Sequence, residues 1–228
     1  MKEVIKYILD IFYPNRCPFC DDFIKWNALA CDKCIDSLEY IETCEKCGKT
    51  DCMCDKELYY DKAYVLFKYE GIVRESIIAL KRKNGINAAE FYADKLSEQI
   101  LKSEEKFDAI VPVPMAKSKK KDVGYNQAFV IADFIAKRLE IPVVDALIKA
   151  ENTIAQHTLS KEDRIENVKG MFSSSDIFLK GKRILLCDDV ITTGSTVIEC
   201  SRLLKEMGAE FVAVALAATT DLTNEKIS

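Results

Sequence analysis

The chain has 228 residues, 49% of them hydrophobic and 31% charged, with a formal net charge of -4. That make-up describes a globular protein with one good core and a small appendage. It excludes coating of nucleic acid by bulk charge: residues 1–60 carry 8 Lys/Arg against 12 Asp/Glu, and the remainder is balanced at 25 each. A local basic groove stays compatible with that balance.

No apolar run approaches the roughly 20 residues of a membrane span, so no membrane insertion is expected. Residues 1–10 alternate charges with Val4, Ile5, Ile8 and Leu9. They predict an amphipathic leading helix and lack the continuous apolar core of a signal peptide. A cytoplasmic location is the expectation, and there thiols favour metal over disulfides.

Eight of the ten cysteines lie between Cys17 and Cys54. The pattern is Cys17-x2-Cys20, then Cys31-x2-Cys34, then Cys44-x2-Cys47, then Cys52-x-Cys54. A two-residue spacer lets both sulfurs of a knuckle reach one ion, so the pattern predicts structural Zn2+ in one or two tetrahedral sites. The simplest grouping is Cys17/Cys20/Cys31/Cys34 and Cys44/Cys47/Cys52/Cys54; an interleaved grouping, disulfides and an iron–sulfur cluster are the alternatives. The Cys52-Met53-Cys54 knuckle is tighter than usual. So few large apolar residues make no core, so metal binding supplies much of the folding free energy. Phe23 and Trp26 suit either stacking on a base or filling between knuckles. Residues 1–57 are read as a zinc ribbon-like domain with a short leading helix, and 58–228 as an α/β domain.

Residues 58–69 have the aromatic and β-branched character of one or two short strands. Residues 72–83 predict a helix closed by Lys81, Arg82 and Lys83. Asn87 is placed to cap the next helix, which runs to about Leu101. Residues 107–111 predict a buried strand running into Pro112-Val113-Pro114, which does not continue as a central strand. Lys117, Lys119, Lys120 and Lys121 follow at once, and Gly124-Tyr125-Asn126-Gln127 opens a helix to about Leu139. Residues 143–147 read as a strand. Residues 149–172 are polar without a clear period, and such a long irregular loop in a compact domain is usually functional or disordered. His157, the single histidine, falls there and reads as solvent-exposed.

The stretch from Arg183 to Thr196 carries the strongest signal. Its first half is a short apolar run, the pattern of a strand buried on both faces, and Asp188 and Asp189 are expected to end it. Neighbouring side chains on a strand point to opposite faces, so the two acids need not share one job. A hydroxyl-rich turn around Gly194 leads into a helix expected over residues 197–208. Loop amides and a helix N-terminus favour an anion there, so the segment describes a site for a phosphorylated ligand. No Gly-x-Gly-x2-Gly opens a βαβ unit, and no Gly-x4-Gly-Lys-[Ser/Thr] occurs, so NAD or P-loop ATP chemistry is not supported.

The Ile184–Thr196 run resembles the hydrophobic-Asp-Asp-hydrophobic-x-Thr-Thr-Gly-x-Thr signature of type I phosphoribosyltransferases. The resemblance implies their fold, a mostly parallel α/β sheet with flanking helices. It implies that Asp188 and Asp189 contact the ribose hydroxyls of phosphoribosyl pyrophosphate. Thr192, Thr193, Gly194, Ser195 and Thr196 would cradle its 5′-phosphate, and Mg2+ would accompany its pyrophosphate. Over most of the chain the sequence is similar to the ComF-like (competence protein F) group, with an N-terminal double zinc ribbon. Pro112-Val113-Pro114 matches that group's Val-Pro-Val-Pro element. Gly124 to Gln127 matches its Arg-Gly-Phe-Asn-Gln element, with Val123 where arginine is expected. Thr153, Gln156, Leu159, Arg164, Asn167 and Val168 follow its spacing in the place of a flexible catalytic loop. The resemblance thus marks Val113, Pro114, Lys119, Lys121, Asn126, Gln127 and Gln156 as ligand-binding, and Lys149 and Arg164, with the two acids, as catalytic.

The group is linked to bacterial DNA uptake together with a DNA helicase. If the chain is an enzyme, it is a Mg-dependent phosphoribosyltransferase, a glycosyltransferase of the pentosyl class; no acceptor can be read. Two other classes stay open: a non-enzymatic module that grips single-stranded DNA with the zinc segment and lysines, and a zinc-stabilised protein scaffold. An oligomer is compatible with all three.

Overall fold

The computed structural model describes residues 15–80, 85–116, 118, 124–150 and 170–220. The leading helix expected over residues 1–10, the basic residues 81–83, and Lys117, Lys119, Lys120, Lys121, Val123, Gln156, His157 and Arg164 lie outside the described residues.

The described elements, in chain order, are α1 (Asp32–Asp36), β1 (Lys62–Lys68), α2 (Gly71–Ala79), α3 (Ile86–Lys102), β2 (Ala109–Pro112), α4 (Gln127–Leu139), β3 (Leu147–Lys149), β4 (Phe172–Ser174), β5 (Arg183–Ile191), α5 (Ser195–Glu206) and β6 (Phe211–Thr219). Four of the strands form one wholly parallel sheet in the order β1-β6-β5-β2. β5 and β6 are its centre and read as almost unbroken apolar runs because both faces are covered. No described helix is long and apolar enough to cross a membrane.

Strand alternation divides the interior into two cores. Tyr64, Leu66, Leu185, Cys187, Ala213 and Ala215 lie with α3, α4 and the first cysteine segment. Ala63, Val65, Leu186, Val212, Val214 and Leu216 lie with α5, the β3–β4 pair and the second cysteine segment. Thus β6 offers its alanines to one side and its larger aliphatics to the other. On the alanine side the space is taken by an aromatic group: Phe67 stacks on Phe91 at 6.4 Å, and Phe91 meets Tyr92 edge-on at 5.7 Å.

Several local expectations need correction. β5 does not end at the acids; it pairs on through Asp188↔Leu216 to Ile191↔Thr219, because β6 is equally long and keeps its backbone partnered. α5 starts two residues before the expected helix, with Gly194 at its N-cap. Asn87 caps nothing: α3 begins at Ile86 after Gly85, and the Asn87 amide donates instead to Asn15 Oδ1 at 2.9 Å and to the Arg16 carbonyl at 3.0 Å. α2 stops at Ala79, and the Tyr125 hydroxyl takes the Leu80 carbonyl just beyond it. Pro112 is inside β2, tolerated because β2 is the edge of the parallel sheet. The strand expected over 143–147 is divided: Val143 makes a lone bridge to Ile110, and β3 pairs antiparallel with β4, which closes the base of the 149–172 segment.

Candidate functional site

The cysteines gather into two clusters, Cys17/Cys20/Cys31/Cys34 and Cys44/Cys47/Cys52/Cys54, with the four sulfurs of each within 4.8 Å of one another. This is the sequential grouping, not the interleaved one. All are free thiols. Cys20 and Cys31 sulfurs are 3.7 Å apart, Cys44 and Cys54 3.6 Å, and Cys47 and Cys52 3.9 Å. A disulfide needs about 2.05 Å. A tetrahedron with Zn–S bonds of about 2.3 Å has edges of about 3.8 Å. The donor sets therefore fit zinc, and the ion would supply the cross-link that this apolar-poor segment lacks. In the second cluster the main-chain N–H groups of Cys47 and Lys46 hold the Cys44 thiol down to about 6, so it is ready to bind as thiolate.

The clusters dock on opposite sides of the sheet. The first is fixed to α3 by Phe19, whose ring meets Phe91 edge-on at 5.0 Å, and by Asn87. Phe23, by contrast, is 65% exposed, with the Arg16 guanidinium 4.1 Å over its ring, so Phe19 rather than Phe23 does the filling. The second cluster lies under the turn that follows β5.

That turn is open. A small cleft is lined by Asp188, Val190, Ile191, Thr192, Gly194, Thr196 and Val197. Gly194 adopts φ +82°, a left-handed conformation that turns the chain into α5. Thr193 and Ser195 hydroxyls pair at 3.0 Å, and the Ser195 amide reaches Thr193 Oγ1 only at 3.4 Å. Among the described residues, no acceptor takes the amides of Thr193, Gly194, Thr196 or Val197. Free amides at the start of a helix of this length are an anion-favouring arrangement.

The two acids part as strand geometry requires. Asp188 shares the side of Ile184 and Leu186, towards α5 and Lys149; Asp189 shares the side of Leu185 and Cys187, towards Tyr69. Each carboxylate accepts the next residue's amide, Asp188 from Asp189 at 2.9 Å and Asp189 from Val190 at 2.8 Å. Burial, then the neighbouring Asp189 charge, pushes the Asp188 pKa well above the usual carboxylate range, and Lys149 opposes that rise. Asp188 keeps part of its surface at the cleft despite its dense surroundings. Burial lifts Cys187 and Cys200 too, so both stay protonated core thiols.

Of the other residues singled out in the sequence, Lys149 lies 5.0 Å over the Phe172 ring at the hairpin base. Val113 is buried and its amide donates to the Cys187 carbonyl at 2.8 Å; Asn126 ties to the Val113 carbonyl at 2.9 Å. Pro114 is partly exposed beside them. Gln127 is 3% exposed, and its Nε2 lacks an acceptor among the described residues. A buried donor of this kind calls for a partner that the described residues do not supply.

Sequence reasoning missed the floor of the turn. Lys49 is 0% exposed and its ammonium donates to the Thr192 carbonyl at 2.9 Å. Met53 is 1% exposed and lies against Gly194. The place of Lys49 two residues after Cys47, within a knuckle, is the signal in the sequence that could have found it.

The family model of the phosphoribosyl transferase domain matches residues 84–226, and that of the double zinc ribbon domain matches residues 8–62. "Competence protein F" of Haemophilus influenzae is 40% identical over 111 residues, 47% of this chain and 48% of its own. "DNA utilization protein YhgH" of Escherichia coli is 33% identical over 108 residues, 47% of each chain. The match thus spans about half the length of these relatives. "Competence protein ComFC" of Streptococcus pneumoniae is 26% identical over 197 residues, 82% of this chain and 86% of its own.

Proposed function

The chain belongs to the phosphoribosyl transferase domain family, and on that premise we propose that residues 188–196 bind phosphoribosyl pyrophosphate or a nucleotide 5′-phosphate in the service of DNA uptake. The observation that carries this reading is the run of amides at Thr193, Gly194, Thr196 and Val197 without an acceptor among the described residues, beside the cleft at the C-terminal end of β5 that Gly194, Thr196 and Val197 line. Ligands of open α/β sheets bind at such strand ends. The names of the relatives, two competence proteins and a DNA utilization protein, support the biological setting.

In this reading the turn amides and the Thr193 and Ser195 hydroxyls take the 5′-phosphate. Asp188 and Asp189 take ribose hydroxyls. A hydroxyl donated to Asp188, with Lys149 nearby, favours its ionised form. In this reading Mg2+ enters on the ligand, with its pyrophosphate. When bound, Mg2+ offsets the pyrophosphate charge that grows as the C1–oxygen bond breaks. On the same reading the buried Gln127 Nε2, without an acceptor among the described residues, donates to a bound anion.

Titration calorimetry with magnesium phosphoribosyl pyrophosphate tests the reading. The zinc-loaded chain is expected to bind in the micromolar range, and Asp188→Asn with Asp189→Asn to weaken binding about a hundredfold or more. No heat from the unaltered chain, together with salt-sensitive binding of single-stranded DNA, would favour the DNA-gripping module instead.

A further inference from the structure

The second cysteine cluster does more than hold its own segment. Lys49 buries its ammonium completely, which is costly unless its donors are used. It donates to the Thr192 carbonyl at 2.9 Å, to the Thr220 carbonyl, and weakly to Thr220 Oγ1 at 3.5 Å. Thr192 follows β5 and Thr220 follows β6, so one side chain clips the exits of the two central strands together. The knuckle itself sets the backbone of Lys49: the Cys44 amide donates to the Lys49 carbonyl at 3.0 Å, and the Gly48 amide to the Cys44 carbonyl at 2.8 Å.

Met53 adds the second contact. It stands between Cys52 and Cys54, both members of the cluster, and its amide donates to the Cys47 sulfur at 3.5 Å. A Cβ at Gly194 would lie 2.7 Å from the Met53 methyl, so the Gly194 peptide rests directly on that side chain. The one-residue spacer of this tight knuckle is what leaves Met53 no freedom to withdraw.

We infer that Lys49 and Met53 are positioning residues that make the metal-bound second knuckle the floor of the phosphate turn. The inference rests on the reading of residues 192–196 as that turn. The floor fixes the Thr192 carbonyl and the Gly194 peptide, and so aims the free amides at one point. Without it the turn keeps its residues but not their convergence.

The test uses the full zinc-loaded chain and two variants, Lys49→Met and Met53→Ala. Zinc content, exchange of the Ile198 and Thr220 amides by NMR, and affinity for magnesium phosphoribosyl pyrophosphate are measured. Those two amides close on the Gly194 and Ile191 carbonyls at 2.9 and 3.1 Å and so report the turn. Expected are two zincs per chain in both variants, about tenfold faster exchange at both amides, and about tenfold weaker binding. Amide exchange elsewhere in β5 and β6 should move far less. Variants that lose general stability but leave Ile198, Thr220 and ligand affinity in step with the rest of the sheet overturn the inference. Should Lys49→Met fail to fold, Met53→Ala decides alone by the same readings. If the unaltered chain binds no ligand, the phosphate-site reading fails, while the exchange result still decides whether the knuckle holds the turn.

Discussion

The two cysteine clusters have the same four thiols and the same spread of sulfurs, yet they meet the rest of the molecule in different ways. The first presses Phe19 and Asn15 onto α3, on the face of the sheet lined by Phe67, Phe91 and Tyr92. The second reaches under the turn at Thr192 and Gly194. One cluster therefore packs on a helix, and the other on the turn that follows β5. The lesson is that equal metal chemistry carries no function by itself; what each knuckle touches decides it.

The largest expected effect comes from breaking the clusters separately. Cys17→Ser with Cys34→Ser should lower the zinc content from two to one and cost several kcal/mol of stability, because a structural site contributes folding free energy outright. The part that stays folded should keep its phosphate-ligand affinity. Cys44→Ser with Cys54→Ser should lose one zinc as well and lose ligand affinity with it. Metal analysis, thermal melts and calorimetry on the same samples separate the two cases, and equal ligand loss in both would erase the distinction.

Next is Phe19→Ala, which removes the edge-on contact with Phe91 and should cost about 2 kcal/mol for a partly buried ring. Denaturant unfolding measures it, and the zinc count should not change.

Asp188→Asn sharpens the comparison from the site's side. A folded pKa raised above the unfolded value means a stability contribution present below about pH 4 and lost as pH rises through the folded pKa. The aspartate thus costs stability at neutral pH. The asparagine variant should be about 1–2 kcal/mol more stable at pH 7, near the native Tm at pH 4, and weaker in ligand affinity. A variant less stable than the native chain at pH 7 would assign that carboxylate a structural role. The smallest effect is Asn87→Ala, about 1 kcal/mol from two hydrogen bonds to the first cysteine segment. A helix cap at that position would give a similar loss, so the discriminating reading is faster amide exchange around Asn15 and Arg16.

Much of this was legible in the amino-acid order because the evidence was local. Cysteine spacing reports which sulfurs reach one ion, and an apolar run near Asp188-Asp189 with a Thr/Gly turn reports a strand and the turn into the next helix. The parallel sheet followed from strands that alternate with helical patterns. What stayed hidden depends on partners far along the chain. β5 continues past its acids only because β6 runs beside it to Thr219. β3 and β4 are three residues each, too short to show a period, and become strands by pairing with one another. Asn87 has the chemistry of a cap, but Gly85 and Ile86 open α3 before it. Lys49 is the clearest case: its charge amid acids reads as a surface residue, and nothing nearby in the sequence says that Thr192 and Thr220 will close over it.

The most direct test is an NMR titration of the full zinc-loaded chain with magnesium phosphoribosyl pyrophosphate, following the amides of Thr193, Gly194, Thr196 and Val197. If residues 188–196 hold the phosphate, all four shift together and saturably, with the amides around Phe19 and α3 unmoved. Saturating ligand that leaves those four resonances in place would contradict it.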